Sequence, residues 1–243
     1  MRKVALITGA TGDIGRAIAQ EFASLGYTVA AVGFKDFEGA EALSDLLKEK
    51  QVDFKIYMQD LSSFEGVKEI INDVIREFGR IDALINNAGI SLTGLFDETG
   101  PEDFDRIFNV NVKSVYNTCR LVLPYMLKEK RGRIINISSI WGVKGAACEA
   151  LYSASKAAVI GLTKALAMEM APSGILVNCI APGAIDTKMN NNLSLQEKQD
   201  FANEIPVSRF GAPEEIAGVC AFLAGERSSY ITGQVIVCDG GYI

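Results

Sequence analysis

Short apolar runs alternate with longer amphipathic stretches along the whole chain, and this alternation limits the possible folds more than any other feature. The runs have the length of buried strands, and the stretches between them repeat apolar residues at helical spacing. Strands that alternate with helices predict a parallel sheet with helices on both faces. We therefore predict an α/β fold with a doubly wound sheet of seven parallel strands. The predicted strands are Val4–Ile7, Val29–Val32, Phe54–Tyr57, Ala83–Asn86, Arg133–Ser138, Leu176–Ile180 and Val235–Cys238.

Helical patterns lie between these runs, and no linker, repeat or low-complexity segment interrupts them. A chain of 243 residues is long enough to bury a full core. We therefore predict a single domain over residues 1–243. The predicted helices lie near Ile14–Leu25, Gly39–Glu49, Phe64–Phe78, Glu102–Lys130, Leu151–Met170 and Pro213–Ala224.

Composition excludes several classes of function. The chain has no histidine, which removes Ser-His-Asp catalysis and histidine-bound metal, and we predict no metal site. A formal net charge of −6 argues against nucleic acid as a partner. No apolar run approaches the ~20 residues of a membrane span. The five cysteines are widely spaced without a CxxC motif, as expected of a reduced cytoplasmic protein.

Three residues between positions 139 and 156 have side chains suited to proton transfer. Ser139, Tyr152 and Lys156 follow one another at spacings of 13 and 4, so Tyr152 and Lys156 share one face of a helix. A nearby ammonium lowers the pKa of a tyrosine from about 10, and a serine hydroxyl can hydrogen-bond a developing oxyanion. The alternative is an ordinary amphipathic helix with a solvated lysine.

A glycine-rich turn, TGATGDIG at residues 8–15, follows the first strand and opens the first helix. Glycines in this place let the backbone approach a pyrophosphate, and the helix N-terminus supplies amide donors. The turn therefore predicts a dinucleotide site. A tight surface turn is the alternative.

Further motifs follow in order along the chain. They are Asp60-Leu61, NNAG at 86–89, Asn111 in NVNVKS, ISS at 137–139, YSASK at 152–156 and APGAIDT at 181–187. With these motifs the chain resembles the short-chain dehydrogenase/reductase family, most closely its 3-oxoacyl-acyl-carrier-protein reductase branch. The resemblance implies a Rossmann fold and the reduction of a ketone by a nicotinamide dinucleotide.

The resemblance also implies roles for the catalytic residues. Tyr152 donates a proton to the carbonyl oxygen, and Ser139, selected over Ser138 by the family's spacing, polarises that oxygen. Lys156 holds the nicotinamide ribose, lowers the pKa of Tyr152 and passes protons through a water on Asn111. For Asn111, a buried and satisfied polar residue is the alternative.

The cofactor contacts that the resemblance implies come from several turns of the predicted sheet. Two of them have structural alternatives, because Asp60 can cap the following helix and Asn87 can tie strand ends together. The implied contacts are Gly9, Thr11, Gly12, Asp13, Ile14, Gly15, Lys35, Asp60, Leu61, Asn87, Ala88, Gly89, Tyr152, Lys156, Pro182, Gly183, Ile185 and Thr187.

Asp13 departs from the family pattern, which has glycine at this place. Its carboxylate puts a like charge near the expected pyrophosphate. An acidic residue at a helix start is favoured by the helix dipole and can cap the helix. We therefore interpret Asp13 as a cap.

The end of the second strand bears on the choice of cofactor. Sites that prefer NAD place an acid there against the ribose 2′-hydroxyl, but this chain has Gly33, with Lys35 two residues beyond. This favours NADP over NAD. There are two counter-arguments: a small shift of the loop would bring Asp36 to the ribose, and Gly12 stands where NADP-dependent relatives often have a base.

The resemblance implies a homotetramer built through the long central helix and the YxxxK helix. On the first of these helices, Val115, Leu121, Val122 and Tyr125 are the predicted interface residues. The polar segment 188–210, with Asn190–Asn192, is interpreted as a mobile substrate lid. Glu149 is interpreted as facing solvent.

An acyl carrier protein is strongly acidic and needs a basic surface. The chain has such a cluster, whose alternative is a helix end that carries bases because the dipole favours them. The cluster consists of Lys128, Lys130, Arg131 and Arg133.

Three functions follow from these observations. The first is reduction of a 3-oxoacyl thioester with NADPH in fatty-acid synthesis, with acyl carrier protein or another acyl thioester as partner. The second is a related dehydrogenase of a sugar, polyol, steroid or small ketone that uses NAD. The third is a nucleotide-binding regulator without catalysis, against which the full set of predicted catalytic residues speaks.

Overall fold

The computed structural model describes residues 2–188 and 194–243. Within these residues, seven strands form one parallel sheet in the order β3-β2-β1-β4-β5-β6-β7, which confirms the predicted fold class. The strand bounds differ from the predicted ones by no more than two residues. The strands are Val4–Thr8 (β1), Thr28–Gly33 (β2), Phe54–Met58 (β3), Ala83–Asn86 (β4), Gly132–Ile137 (β5), Ile175–Pro182 (β6) and Val235–Cys238 (β7).

Helices cover both faces of the sheet, and each face has its own apolar cluster. Phe22, Leu43 and Ile216 belong to the cluster on one face, and Ile71 and Val122 belong to the cluster on the other. The helices are Asp13–Ser24 (α1), Phe37–Glu49 (α2), Phe64–Phe78 (α3), Pro101–Phe108 (α4), Ser114–Glu129 (α5), Ile140–Lys144 (α6), Ala150–Met170 (α7), Leu195–Glu204 (α8) and Pro213–Ala224 (α9). Among the residues described, no helix combines the length and apolar character that a membrane crossing requires.

The order of the strands reverses at β1, which pairs with β2 on one side and β4 on the other. The connections that leave β1 and β4 therefore diverge at the carboxyl edge of the sheet. In open α/β sheets a crevice forms at such a reversal and binds ligands. Five of the sequence motifs lie at this edge, because they follow the ends of β1, β3, β4, β5 and β6, whereas Asn111 and YSASK lie in helical segments.

The predicted helix Glu102–Lys130 is interrupted by a π-helical segment, Asn109–Lys113, between α4 and α5. Short π-helical insertions inside α-helices are frequent at functional sites. Asn111 lies in the middle of this segment and is buried.

Two of the predicted interface residues are wrong. Val115 and Val122 are buried in the apolar cluster between α5 and the sheet, because they lie on the stripe of α5 that faces the core. Leu121 and Tyr125 keep partial exposure.

Part of the predicted lid is helical. Helix α8 begins with a capping box, in which Glu197 accepts the backbone N–H of Ser194 at 2.8 Å and the Ser194 hydroxyl accepts that of Glu197 at 3.3 Å. The predicted Asn190–Asn192 lie outside the described residues.

The predicted basic cluster is divided by the fold. Arg133 is buried at the beginning of β5, and Arg131 pairs with Glu226. Lys128 and Lys130 remain exposed. The cluster lies where β5 begins, whereas Ser139 follows its end, so the cluster and the predicted catalytic residues of one chain lie at opposite edges of the sheet.

Candidate active site

The turn after β1 depends on a close approach between two glycines. A Cβ atom at position 15 would lie 2.0 Å from the carbonyl oxygen of Gly9, and Gly9 itself has a φ of +62°. Helix α1 begins directly afterwards, with Gly12 as its N-cap and no capping side chain. Backbone amides at an uncapped helix N-terminus are suited to a pyrophosphate, so this turn fits the predicted dinucleotide.

The interpretation of Asp13 as a cap is wrong. Its carboxylate oxygen Oδ1 accepts a hydrogen bond from Arg16 at 3.1 Å. The other oxygen, Oδ2, accepts the backbone N–H of Lys188 at 2.7 Å, across 175 residues of sequence. The side chain therefore joins two segments rather than closing its own helix.

A cavity of about 270 Å³ opens between the turn after β1 and the ends of β2 and β3. Gly9, Asp60, Leu61 and Ala88 line it, and all four were predicted as cofactor contacts. Arg106 of α4 also lines the cavity and was missed, because in the sequence it resembles any solvated helix base.

The end of β2 leaves little room for a side chain at position 33. Gly33 lines the cavity, and a Cβ there would lie 2.5 Å from Cγ2 of Thr11. The Asp36 carboxylate caps α2 by accepting the N–H of Gly39 at 3.0 Å. Lys35 is exposed, with Nζ 4.8 Å from the centre of the Phe34 ring.

Asp60 and Asn87 both have structural contacts. Asp60 accepts the N–H of Ser62 at 2.9 Å, whereas the cap of α3 is Ser63. The Asn87 amide donates to the carbonyl oxygens of Thr8 and Gly9 at 3.2 and 3.1 Å. Asn87 thus ties the end of β4 to the turn after β1.

The two serines after β5 have different contacts. The Ser138 hydroxyl donates to the carbonyl oxygen of Lys156 at 2.9 Å and thereby anchors α7. Ser139 caps α6 by accepting the N–H of Trp141 at 3.1 Å, and its hydroxyl lies close enough to that of Tyr152 to lower the pKa of the tyrosine. The fold therefore brings Ser139, and not Ser138, to the tyrosine.

Burial raises the pKa of Tyr152 to about 12, and the negative charge of Glu149 adds to the rise while the hydrogen bond from Ser139 opposes it. The predicted lowering by Lys156 is wrong for this structure. The ammonium nitrogen lies 5.7 Å from the centre of the Tyr152 ring and donates to the carbonyl oxygen of Ile137 at 3.0 Å. The charge of Lys156 therefore does not offset the loss of water around the phenol, which raises the pKa of Tyr152.

Lys156 is buried, and burial lowers its pKa to about 8. A Cβ atom on Gly89 would lie 3.1 Å from Nζ of Lys156 and 3.3 Å from Oδ1 of Asn111. The end of β4, the π-helical segment and α7 therefore meet at this lysine.

The side-chain amide of Asn111 makes all its observed hydrogen bonds with other protein groups. Its Nδ2 donates to the carbonyl oxygen of Ile90 at 2.9 Å and to the hydroxyl of Ser155 at 3.0 Å, and its Oδ1 accepts the N–H of Ile90 at 2.8 Å. The structural alternative for this residue is thus observed. A role in a proton relay stays a prediction.

The segment after β6 packs beside β7 and α9. A Cβ on Gly183 would lie 2.7 Å from Cβ of Asp239, and Ile185 is buried. Thr187 donates its hydroxyl to the carbonyl oxygen of Ile185 at 3.4 Å. Because β6 neighbours β5, this segment and Ser139 lie at the same edge of the sheet.

Glu149 does not simply face solvent. It is partly buried at the N-cap of α7, and this burial raises the pKa of its carboxyl. Its charge acts on Tyr152, which lies one helical turn along α7.

Known proteins are similar to this chain over nearly its whole length. The sequence matches the family described as enoyl-(acyl carrier protein) reductase over residues 9–243. A 3-oxoacyl-[acyl-carrier-protein] reductase FabG from Thermotoga maritima is 43% identical over 99% of this chain and 98% of its own length. An uncharacterized oxidoreductase, YmfI, from Bacillus subtilis is 40% identical over 100% of this chain and 99% of its own length.

A solved structure supports the fold. The crystal structure of an NAD+-bound xylitol dehydrogenase has a TM-score of 0.93 and 34% sequence identity, and the match covers 98% of each chain. Together with the Ser139–Tyr152 contact and the glycine turn, these similarities show that the chain is an oxidoreductase that belongs to the short-chain dehydrogenase/reductase family.

Proposed function

We propose that the protein reduces a 3-oxoacyl thioester to the 3-hydroxyacyl thioester with NADPH, in fatty-acid synthesis. The observation that carries the proposal is the grouping of Ser139, Tyr152 and Lys156: the Ser139 hydroxyl acts on the Tyr152 phenol, and the buried Lys156 has Nζ 5.7 Å from the centre of the Tyr152 ring. The names of the similar reductases support a thioester on an acyl carrier protein as the substrate.

Each residue of this site has a chemical task. The nicotinamide supplies the hydride chemistry when it is bound. Tyr152, whose pKa of about 12 keeps it protonated at neutral pH, donates the proton to the carbonyl oxygen. Ser139 donates a hydrogen bond to the same oxygen and stabilises the charge that develops there. Lys156 holds the ribose of the cofactor, and Asn111 fixes the backbone at Ile90.

The cofactor is proposed to lie along the carboxyl edge of the sheet. The 270 Å³ cavity would hold the adenosine end, with Asp60 and Leu61 among the residues that line it. The amides at the start of α1 hold the pyrophosphate. NADPH is favoured over NADH because Gly33 leaves no carboxylate at the ribose and Asp36 is engaged in capping α2.

We further propose a single-domain, cytoplasmic protein that assembles as a homotetramer. Exposed apolar side chains on α5 and α7 support the assembly, since Tyr116 is 51% and Met168 is 82% exposed. Light scattering coupled to size-exclusion chromatography tests it, and a monomeric mass contradicts it.

The function is tested by the loss of absorbance of reduced cofactor with acetoacetyl thioester, using NADPH and NADH side by side. Tyr152→Phe is the control for catalysis, and crotonyl thioester is the control for reduction of a carbon–carbon double bond. Rapid oxidation of NADPH that needs the ketone and the tyrosine supports the proposal. Binding of both cofactors without oxidation contradicts the substrate assignment.

A polyol or small hydroxy ketone is the second candidate substrate. The carboxylate of Glu149 beside Tyr152 favours it, because a carboxylate accepts hydrogen bonds from hydroxyl groups. Oxidation of polyols with NAD+, at a rate above that of thioester reduction, would establish this alternative.

A further inference from the structure

We propose that Asp13 is a positioning residue that holds the segment after β6 against the cofactor turn. The inference rests on the proposed function, because it assumes that the pyrophosphate binds at the start of α1. It gives a task to the one residue of the glycine-rich turn that departs from the family pattern.

The contact joins two segments that begin far apart. Strands β1 and β6 are separated in the sheet by β4 and β5, which places their ends on the order of 14 Å apart. The segment that leaves β6 at Pro182 must therefore span this distance to bring Lys188 to α1. It begins at the carboxyl edge of the sheet, which also carries Ser139, Gly89 and the turn after β1.

Both oxygens of the Asp13 carboxylate are used in this contact. Oδ2 accepts the backbone N–H of Lys188 at 2.7 Å, and Oδ1 accepts from the guanidinium of Arg16 at 3.1 Å. The side chains of Asp13 and Arg16 are only 20% and 26% exposed, so the ion pair is shielded more than most surface pairs. The guanidinium offsets the charge that would otherwise repel a pyrophosphate.

The same segment contains the residues predicted to hold the nicotinamide. Ile185 is buried and Thr187 bonds back to it, so the segment is anchored at one end by the core and at the other by Asp13. A segment that is held in place before binding costs less entropy when the cofactor binds. Glycine at position 13 cannot supply this anchor.

The test is the dissociation constant for NADPH, measured by fluorescence titration without substrate, in Asp13→Gly, Asp13→Asn and the unaltered protein. Asp13→Gly is expected to raise the dissociation constant at least about fivefold and to speed cofactor release, while kcat falls less than threefold. Asp13→Asn keeps an oxygen for the N–H of Lys188 and is expected to recover most of the affinity.

Glu65→Gly is the matched control, because Glu65 pairs with Lys68 in the first turn of α3 at the same spacing but away from the site. This variant shows how much NADPH affinity changes when a helix start gains a glycine and loses an ion pair away from the proposed cofactor site. Cofactor affinity that is unchanged or tighter in Asp13→Gly would overturn the proposal, and so would equal losses in Asp13→Gly and Asp13→Asn. If the unaltered protein binds NADPH but reduces no thioester, the proposed function fails while this test still decides the role of Asp13.

Discussion

At the scale of single residues, burial moves the pKa values of Tyr152 and Lys156 in opposite directions. Burial raises the pKa of Tyr152 to about 12 and lowers the pKa of Lys156 to about 8, because it disfavours the charged form of each side chain. At neutral pH the tyrosine therefore carries its proton, as a proton donor must. The buried lysine weakens the fold, and such a cost is common at functional sites.

Glu149→Gln is predicted to lower the pKa of Tyr152, because the charge of Glu149 raises it. Reduction requires protonated Tyr152, so activity falls as the pH rises through that pKa. The alkaline limb of the pH–rate profile for ketone reduction should therefore move to lower pH. Glu149→Asp keeps the charge and serves as the control. A limb that stays in place or moves to higher pH contradicts the prediction.

Lys156→Met is predicted to stabilise the fold at neutral pH. Below pH 8 the native lysine is charged although buried, and the difference from its ordinary pKa of 10.5 corresponds to about 3 kcal/mol. Loss of the hydrogen bond to Ile137 costs about 1 kcal/mol of this, so the free energy of unfolding should rise by about 2 kcal/mol.

The sign of this effect sets its pH dependence. Between pH 8 and 10.5 the unfolded chain binds more protons at position 156 than the native one, so the unaltered protein becomes more stable as the pH rises. The advantage of Lys156→Met should shrink over this range. Urea denaturation at pH 7 and pH 10 measures it, with the exposed Lys128→Met as control. An equal gain in the free energy of unfolding at pH 7 and pH 10 would rule this explanation out.

At the scale of elements, the π-helical segment between α4 and α5 places Asn111 where three parts of the chain meet. Its amide joins Ile90, after β4, to Ser155, in α7. An uninterrupted α-helix was predicted because apolar spacing alone does not reveal an inserted residue. The insertion becomes understandable once the partners of Asn111 are known.

Asn111→Ala is predicted to lower the free energy of unfolding by about 2–4 kcal/mol. It removes three hydrogen bonds and leaves the partly buried N–H and carbonyl groups of Ile90 without their partner. Urea denaturation measures the change. The exposed Asn72→Ala, which loses one bond of 3.3 Å to Tyr125, is the control and should cost less than about 0.5 kcal/mol. Similar stabilities of the two variants would show that the amide of Asn111 is dispensable.

At the scale of the whole molecule, the sheet order brings the ends of β1, β4, β5 and β6 to one edge, and every predicted cofactor segment reaches that edge. Ligand binding to such a site should stabilise the entire fold. At 100 times its dissociation constant, a ligand adds about 2.7 kcal/mol, which raises Tm by roughly 5–10 °C for a chain of this size.

NADPH is predicted to raise Tm more than NADH at equal concentration, because the ribose side of the cavity has Gly33 in place of an acid and the Asp36 carboxylate is engaged by α2. Thermal unfolding followed by circular dichroism measures both shifts. A larger shift with NADH would reverse the proposed cofactor preference.

The sequence by itself determined the sheet, most of the helices and the positions of the functional motifs. Strand and helix periods are local properties, and the requirement for glycine at positions 9 and 15 follows from a short turn. Only the tertiary structure decided how Asp13 is used, that Arg106 lines the cofactor cavity, and that Val122 faces the core. It also reversed the expected pKa shift of Tyr152. These properties depend on burial and on contacts between residues far apart in the chain, and no local pattern records them.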